Sequence, residues 1–213
     1  MYIGRIVCVA RTTDGRLCAA YRVSSRSFPN RTAAIFEGKV SIIPKPGFEG
    51  DIMKNPYIAY NCVRLVREGA VAVVTNGSHT DPIAEKIELG VPVRDALAGV
   101  SLAMDFEKDQ YDTPRISAVI DRNDDSAWLA IVRRNGIEVR SMKLAAGDYA
   151  HIATYEENTL APPQTGFTAN DAEQACDFVL KGGIFADRTH AVTAVAAMAS
   201  GVGFKLYEKD APK

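Results

Sequence analysis

The sequence predicts an α+β protein in which antiparallel sheets carry helices on their outside. Three observations carry that expectation. The first half reads as short strands separated by turn residues, two helical stretches follow, and strands then return before a second helical region. That order differs from the strand–helix alternation of a doubly wound parallel sheet. At 213 residues the chain suits one domain over residues 1–213 and is ample to bury a core.

The elements follow in order. Residues 2–10 are a β-rich run, Thr12-Thr13-Asp14-Gly15 is a turn, and residues 16–23 return as the second arm of a hairpin. Residues 24–31 break the pattern with Ser, Pro and Asn and read as a loop. Residues 40–43 form a short strand, and residues 57–66 and 70–75 a hairpin across Arg67-Glu68-Gly69. Asp81 reads as a helix N-cap with Pro82 at the first helical position, Ile83 and Ile87 as the buried stripe, and Gly90 as the stop. A second helix opens at Pro92. Val93, Leu97, Val100 and Met104 give it an apolar face, and it ends near Glu107-Lys108-Asp109.

Strands are then expected at residues 115–121, 127–132, 137–144 and 149–154, with Asn135-Gly136 as a tight hairpin turn. Ala161-Pro162-Pro163 is a break. Asn170 with Glu173 matches a capping box for a helix running to Lys181, with Ala172, Ala175, Cys176 and Val179 on its buried face and Gly182-Gly183 as its stop. Residues 189–199 read as a helix of small residues, and residues 203–207 as a last strand.

Lys plus Arg total 25 and Asp plus Glu 26, a net charge of −1. That balance excludes a polybasic surface holding nucleic acid, yet leaves room for a local basic pocket. The four cysteines, at 8, 18, 62 and 176, form no CxxC pair, and only three histidines are present, so no structural zinc is expected. Cys8, Cys18 and Cys62 lie in apolar runs and should be reduced and buried. No basic stretch followed by a long apolar segment opens the sequence, and the longest small-apolar run, residues 191–199, is too short to span a bilayer. A cytoplasmic protein without membrane partners is expected.

Four segments concentrate polar chemistry. From Arg22 to Arg31 three arginines and three serines leave a strand end together; an extended backbone would point Arg22, Ser24 and Arg26 the same way, suited to phosphate or carboxylate, or would simply be solvated. In Tyr57-Ile58-Ala59-Tyr60-Asn61-Cys62, Tyr60 offers a hydroxyl, Asn61 a carboxamide and Cys62 a thiol, although all three suit packing and burial would disarm the thiol. Thr75-Asn76-Gly77-Ser78-His79-Thr80-Asp81 joins a strand to a helix start, where amides can cradle an anion or merely cap, and where His79 could exchange protons. In Asp105-Phe106-Glu107-Lys108-Asp109, four ionisable groups can tune one another or form a solvated helix end. Neither a P-loop nor a GxGxxG, GxSxG or HExxH motif occurs.

Longer strings add what spacing does not. Tyr21-Arg22-Val23-Ser24-Ser25-Arg26-Ser27-Phe28-Pro29-Asn30-Arg31, Asn55-Pro56-Tyr57-Ile58-Ala59-Tyr60-Asn61-Cys62, Asn76-Gly77-Ser78-His79-Thr80-Asp81 and Met104-Asp105-Phe106-Glu107-Lys108-Asp109 resemble the archaeal-type IMP cyclohydrolase family. So do Thr113-Pro114-Arg115-Ile116, Thr154-Tyr155-Glu156 and Lys181-Gly182-Gly183, so the resemblance runs to about residue 200. It implies a four-layer αββα sandwich like that of the N-terminal nucleophile hydrolases but without a terminal nucleophile, with which Tyr2 agrees. It also implies the last step of purine synthesis: ring closure of 5-formamidoimidazole-4-carboxamide ribonucleotide (FAICAR) to IMP and water, with no metal or other cofactor.

Under that resemblance Arg22, Ser24, Ser25 and Arg26 would recognise phosphate or carboxamide, and Asn61, Asn76, Ser78 and His79 would line the substrate. Tyr60 and Lys108 would move a proton and stabilise the oxyanion, while Asp105 and Glu107 would orient Lys108 or act as base. The partner would be the small-molecule substrate, with a homo-oligomer left open. Two rivals remain: an inactive purine-nucleotide-binding module of the same fold, and an amide hydrolase, against which the lack of Ser, Thr or Cys at positions 1 and 2 speaks.

Overall fold

A computed structural model describes residues 1–212. The first sheet has six strands in the order β11-β10-β1-β2-β12-β13: β1 (Ile6–Arg11), β2 (Leu17–Ser24), β10 (Asp148–Ala153), β11 (Gln164–Thr165), β12 (Ala191–Ser200) and β13 (Gly203–Asp210). The second has seven, β3 (Arg31–Phe36), β4 (Lys39–Pro44), β5 (Tyr60–Val66), β6 (Val71–Thr75), β7 (Arg115–Asp121), β8 (Ser126–Arg133) and β9 (Gly136–Ser141), which lie side by side in chain order. Every pairing is antiparallel.

Side-chain alternation along the strands divides the core. Val7, Val9, Tyr21, Val195 and Ala197 of the first sheet meet Ile42, Val63, Val74, Ile116 and Leu129 of the second. On the other face of the first sheet, Cys8, Ala20, Ala194, Ala196 and Met198 pack on Ala175, Cys176 and Val179 of α4 (Ala172–Lys181). On the other face of the second, Val71, Val73 and Val119 pack on Ile83 and Ile87 of α2 (Thr80–Glu88) and Leu97 and Val100 of α3 (Val93–Met104). Each of the buried Val, Leu, Ile and Met side chains among these contributes ~1.5–3 kcal/mol by leaving water. A short α1 (Asp51–Lys54) and a 3-10 turn, Pro56–Ile58, precede β5. Among the described residues no helix is long and apolar enough to cross a membrane.

The expected hairpins, the Asn135-Gly136 turn and helix α3 are present. The expected helix over 189–199 is instead strand β12, paired with both β2 and β13. Its small residues alternate: Val195 and Ala197 enter the inter-sheet core, while Ala194, Ala196 and Met198 face α4. A strand buried on both faces has no polar positions to reveal its period, so it reads like a buried helix. Two caps also differ. The residue flanking α2 is His79, and the Asp81 carboxylate accepts instead from Arg64 and Asn61. Helix α4 is capped one residue later than expected: Asp171 Oδ1 accepts from the Gln174 amide at 2.7 Å, and Gln174 Oε1 accepts from the Asn170 amide. Strands β3 and β11 lie almost wholly in stretches to which the sequence assigns no element, just after the expected 24–31 loop and the 161–163 break, and residues 57–59 precede rather than begin β5.

Candidate active site

A cavity of about 680 Å³ opens where β2 ends and β3 and β5 begin, against the loop after α3. Its wall takes Ser24 from the end of β2, Ser25, Arg26 and Ser27 from the following loop, and Arg31 from the start of β3. Lys54 to Ile58 form another side, Glu107, Asp109, Gln110 and Tyr111 a third, and Tyr2, Arg5, Tyr155 and Glu156 complete the lining. This size and this mixture of aromatic rings with convergent polar groups suit a small charged ligand.

The local sequence fixes each polar group. Ser25 Oγ accepts from the Phe28 amide at 3.0 Å, which turns the loop, and Arg31 Nε donates to the Phe28 carbonyl. Arg26 lies over the Tyr2 ring, 4.2 Å from its centroid. Asn55 Oδ1 accepts from the Tyr57 amide and shapes the 3-10 turn. After α3, Asp105 takes a positive φ of 55° and turns the chain, and the Asp109 carboxylate accepts from the Tyr111 and Thr113 amides. Glu107 is thereby carried inward and Lys108 outward. At Gly4, with φ of 82°, a Cβ would meet Thr154 Oγ1 at 2.0 Å, so only glycine lets the segment before β1 lie close enough to present Arg5.

The wall is charged although it is buried. Arg5 donates to Glu107 Oε2 at 3.0 Å and to the Asn76 carbonyl at 3.2 Å, while Arg115 stands 3.7 Å from Glu107 Oε1. Burial alone would depress the Arg5 guanidinium, but Glu107 and then the Tyr60, Tyr21 and Tyr155 hydroxyls raise it well above its ordinary value. The Tyr21 and Tyr60 hydroxyls are 2.5 Å apart. Burial raises both, Tyr21 far and Tyr60 less: Arg5 and Arg31 oppose it at each ring, while Tyr60 pushes Tyr21 further up and the hydrogen bond to Tyr21 draws Tyr60 down. Two neutral phenols thus share a hydrogen bond beside two guanidiniums that line the cavity.

The expected site residues divide. Ser24, Ser25, Arg26 and Glu107 line the cavity, and Tyr60 lies beneath it in the field of Arg5 and Arg31. Arg22 is fully buried and donates to carbonyls at the end of α4 and to the Ser24 hydroxyl. Asn61 bridges Ser41 and Asp81. Asn76 is buried, joining the Pro114 carbonyl and the Ile116 amide, and its own carbonyl holds Arg5. Ser78 is exposed away from the cavity, and His79 is buried behind the wall. Lys108 pairs with Asp105 at 2.5 Å and rests on the Phe106 ring; these side chains are 61% and 46% exposed, and neither lines the cavity. Cys62 is buried in the inter-sheet core, and burial pushes its thiol up.

Sequence reasoning missed Arg5, Arg31, Tyr2, Lys54, Asn55, Tyr111 and Tyr155 as lining residues. Arg31 carried a signal, a cation beginning an apolar strand, and Arg5 did too, at the entry to β1. Among the described residues no group of three His, Cys, Asp or Glu is placed to hold a metal ion.

Comparison with known proteins identifies the wider relationship. A family model described as "IMP cyclohydrolase-like protein" matches residues 2–203. The chain is 48% identical over 197 residues to a Methanosphaera stadtmanae protein named IMP cyclohydrolase, covering 92% of this chain and 94% of that one. It is 53% identical over 158 residues to the Methanocella arvoryzae protein of that name, covering 74% and 75%. Against the Halobacterium salinarum protein of that name it is 45% identical over 203 residues, covering 95% and 94%.

Proposed function

We propose that this chain, which belongs to the IMP cyclohydrolase-like family, closes the pyrimidine ring of IMP from FAICAR, acting as one domain over residues 1–213. The observation that carries the reading at the site is the buried Arg5–Glu107 pair, 3.0 Å across, in the same cavity as the Ser24–Ser27 loop and Arg26. A nucleotide monophosphate needs a cation and hydroxyls for its phosphate, flat surfaces for its base and a proton-transfer group at the reacting end. Arg26 with Ser25 and Ser27, the Tyr2, Tyr111 and Tyr155 rings, and Glu107 supply those three.

In the reaction the carboxamide nitrogen attacks the formyl carbon of the same molecule. A C–N bond forms, the formyl oxygen becomes the carbinolamine oxygen, and the nitrogen gives up a proton. That proton passes to the oxygen and makes it the carbinolamine hydroxyl. The C–O bond then breaks as the former formamide nitrogen gives up its own N–H and forms the C=N bond, and the hydroxyl takes up this second proton and leaves as water. Glu107 relays these protons from nitrogen to oxygen. Arg5 and Arg31 face the oxygen as negative charge grows on it, and Tyr60, hydrogen-bonded to Tyr21, supplies a neutral O–H donor from below. The step is intramolecular and redox-neutral, so positioning supplies much of the acceleration. The packing order, α4 on one sheet, the sheets on each other and α2 with α3 on the second, supports reading the architecture as the αββα sandwich of the N-terminal nucleophile hydrolases.

Purified protein mixed with FAICAR is expected to generate the IMP chromophore, with turnover unaffected by a chelator. IMP binding without turnover would overturn the reading in favour of an inactive nucleotide binder. Because Lys108 is exposed and outside the cavity, Lys108→Met is expected to leave kcat within about threefold, the scale of ordinary surface substitutions. A hundredfold loss would return Lys108 to the chemistry.

A further inference from the structure

Three buried side chains converge behind the cavity wall with polar atoms that have no partner among the described residues: His79 Nδ1, Glu107 Oε1 and Arg115 Nη1. All three residues are more than nine-tenths buried. They come from different elements, His79 from the start of α2, Glu107 from the loop after α3 and Arg115 from the start of β7, yet they surround one point. A Cβ built on Gly77 would stand 3.0 Å from Arg115 Nη1, 3.0 Å from Glu107 Oε1 and 3.3 Å from His79 Nδ1. Gly77 does not have a positive φ, so its backbone conformation does not demand glycine. A methyl group there would crowd all three polar atoms, whereas without it they converge in front of the Gly77 Cα with no side chain between them.

The hydrogen-bond arithmetic of that space selects its occupant. His79 Nε2 lies 3.2 Å from the Ile116 carbonyl, which can only accept, so Nε2 carries the hydrogen and Nδ1 is an acceptor. Burial and then the Arg115 charge disfavour the doubly protonated ring. Glu107 Oε1 is a second acceptor and Arg115 Nη1 a donor. The Glu107–Arg115 gap of 3.7 Å is too long for a direct hydrogen bond and invites a bridge. A cation would face the guanidinium, and an anion would face a carboxylate and a ring lone pair. One water fits: it accepts from Arg115 and donates one hydrogen to Glu107 and the other to His79, the usual three bonds of a buried water.

We propose that Gly77, His79, Glu107 and Arg115 form a buried site for a single water molecule, and that this water fixes the Glu107 carboxylate against the cavity. Arg5 holds one carboxylate oxygen from the cavity side and the bridged water holds the other from behind. His79 is therefore a positioning residue that acts through the water on Glu107. This role rests on the reading of Glu107 as the proton-transfer group, whereas the water site does not.

Two measurements test the two parts. A crystal structure of the native protein at high resolution is expected to show a solvent peak within ~3.2 Å of all three atoms. Absence of a peak, or one bound to a single atom, overturns the site whatever the enzyme does. The second measurement compares Gly77→Ala, His79→Asn and His79→Gln, with native FAICAR turnover as the control. Asn keeps an acceptor near the position of Nδ1 but loses the donor to Ile116. Gln keeps a donor that reaches Ile116 but loses the acceptor. Positioning through water predicts that Gln and Gly77→Ala each lower kcat about tenfold, that Asn loses less than Gln, and that IMP affinity holds in all three. Purely structural support by His79 predicts the reverse order of Asn and Gln in melting temperature and turnover alike, and that result would overturn the positioning role. If the native protein failed to cyclise FAICAR, the functional reading would fall and the solvent peak would still decide the site.

Discussion

Glu107→Gln is expected to lower kcat for FAICAR cyclisation by ~10²–10⁴-fold, the range a positioned general acid–base group contributes. The substitution keeps the shape of the side chain and an oxygen for Arg5, but an amide cannot take the carboxamide proton and return it. Glu107 is 1% exposed, so bulk water does not replace it. The change also removes the counter-charge of two buried guanidiniums, Arg5 and Arg115. Breaking a buried pair in this way costs ~3–5 kcal/mol, so the melting temperature should fall too. Glu107→Asp separates the effects. It retains the charge but draws the carboxylate back by one methylene, so it should recover most of the stability and little of the turnover. Kinetics well below the melting temperature, beside IMP titration, provide the comparison. Normal kcat in a folded Glu107→Gln protein would remove Glu107 from the chemistry.

How Glu107 came to be legible, and its neighbours not, is a matter of one backbone turn. The string Asp105-Phe106-Glu107-Lys108-Asp109 marks a charged helix end in any context. Which of its members face inward depends on the positive φ at Asp105 and on the Asp109 carboxylate that binds the amides beyond it. Alternation then buries Glu107 and exposes Lys108, a result composition does not contain. Asn61, Asn76 and His79 pose a similar problem. A polar residue amid apolar ones serves either a ligand or the backbone, and the sequence does not separate the two. Here Asn76 binds the Pro114 carbonyl and the Ile116 amide, which holds β6 beside β7 and aims its own carbonyl at Arg5.

The fold divides along similar lines. Helix α3 was readable because its apolar residues recur on one face, and the β8–β9 hairpin because Asn-Gly favours its turn. Strand β12 was not, because Ala-Val-Thr-Ala-Val-Ala-Ala-Met-Ala-Ser is apolar on both faces. Its small residues are what allow β12 to lie between β2 and β13 with α4 packed on one side and the second sheet on the other. Alanine's helical preference, a few tenths of a kcal/mol per residue, is overridden by that packing.

The same contrast between ligand and architecture sets the largest stability effect, at Arg22. Its guanidinium is fully buried and meets no carboxylate among the described residues. Nη1 donates to the carbonyls of Val179, Leu180 and Phe185 at 3.1–3.3 Å, Nη2 to those of Arg188 and Thr189, and Nε to Ser24 Oγ at 3.0 Å. Two of those carbonyls belong to the last turn of α4, where the helix dipole is negative. Burial, then the Arg188 charge, pushes the group down to about 10, still above neutral pH, so the fold holds a cation there. Arg22→Met fills the volume but takes the donor from the buried Val179 and Leu180 carbonyls, while the Phe185 carbonyl keeps the Arg188 amide and those of Arg188 and Thr189 lie nearer solvent; each unsatisfied buried acceptor costs ~1–3 kcal/mol before relaxation. A net loss of ~3–5 kcal/mol is expected. That corresponds to a fall in Tm of roughly 6–20 °C for a chain of this length. Arg22→Lys should be intermediate, since an ammonium keeps the charge but cannot span both carbonyl groups. Thermal unfolding checks the loss, and kinetics at a permissive temperature check its origin. An architectural Arg22 leaves KM for FAICAR near its native value in the Lys variant, whereas a phosphate-binding Arg22 would raise KM with Tm little changed.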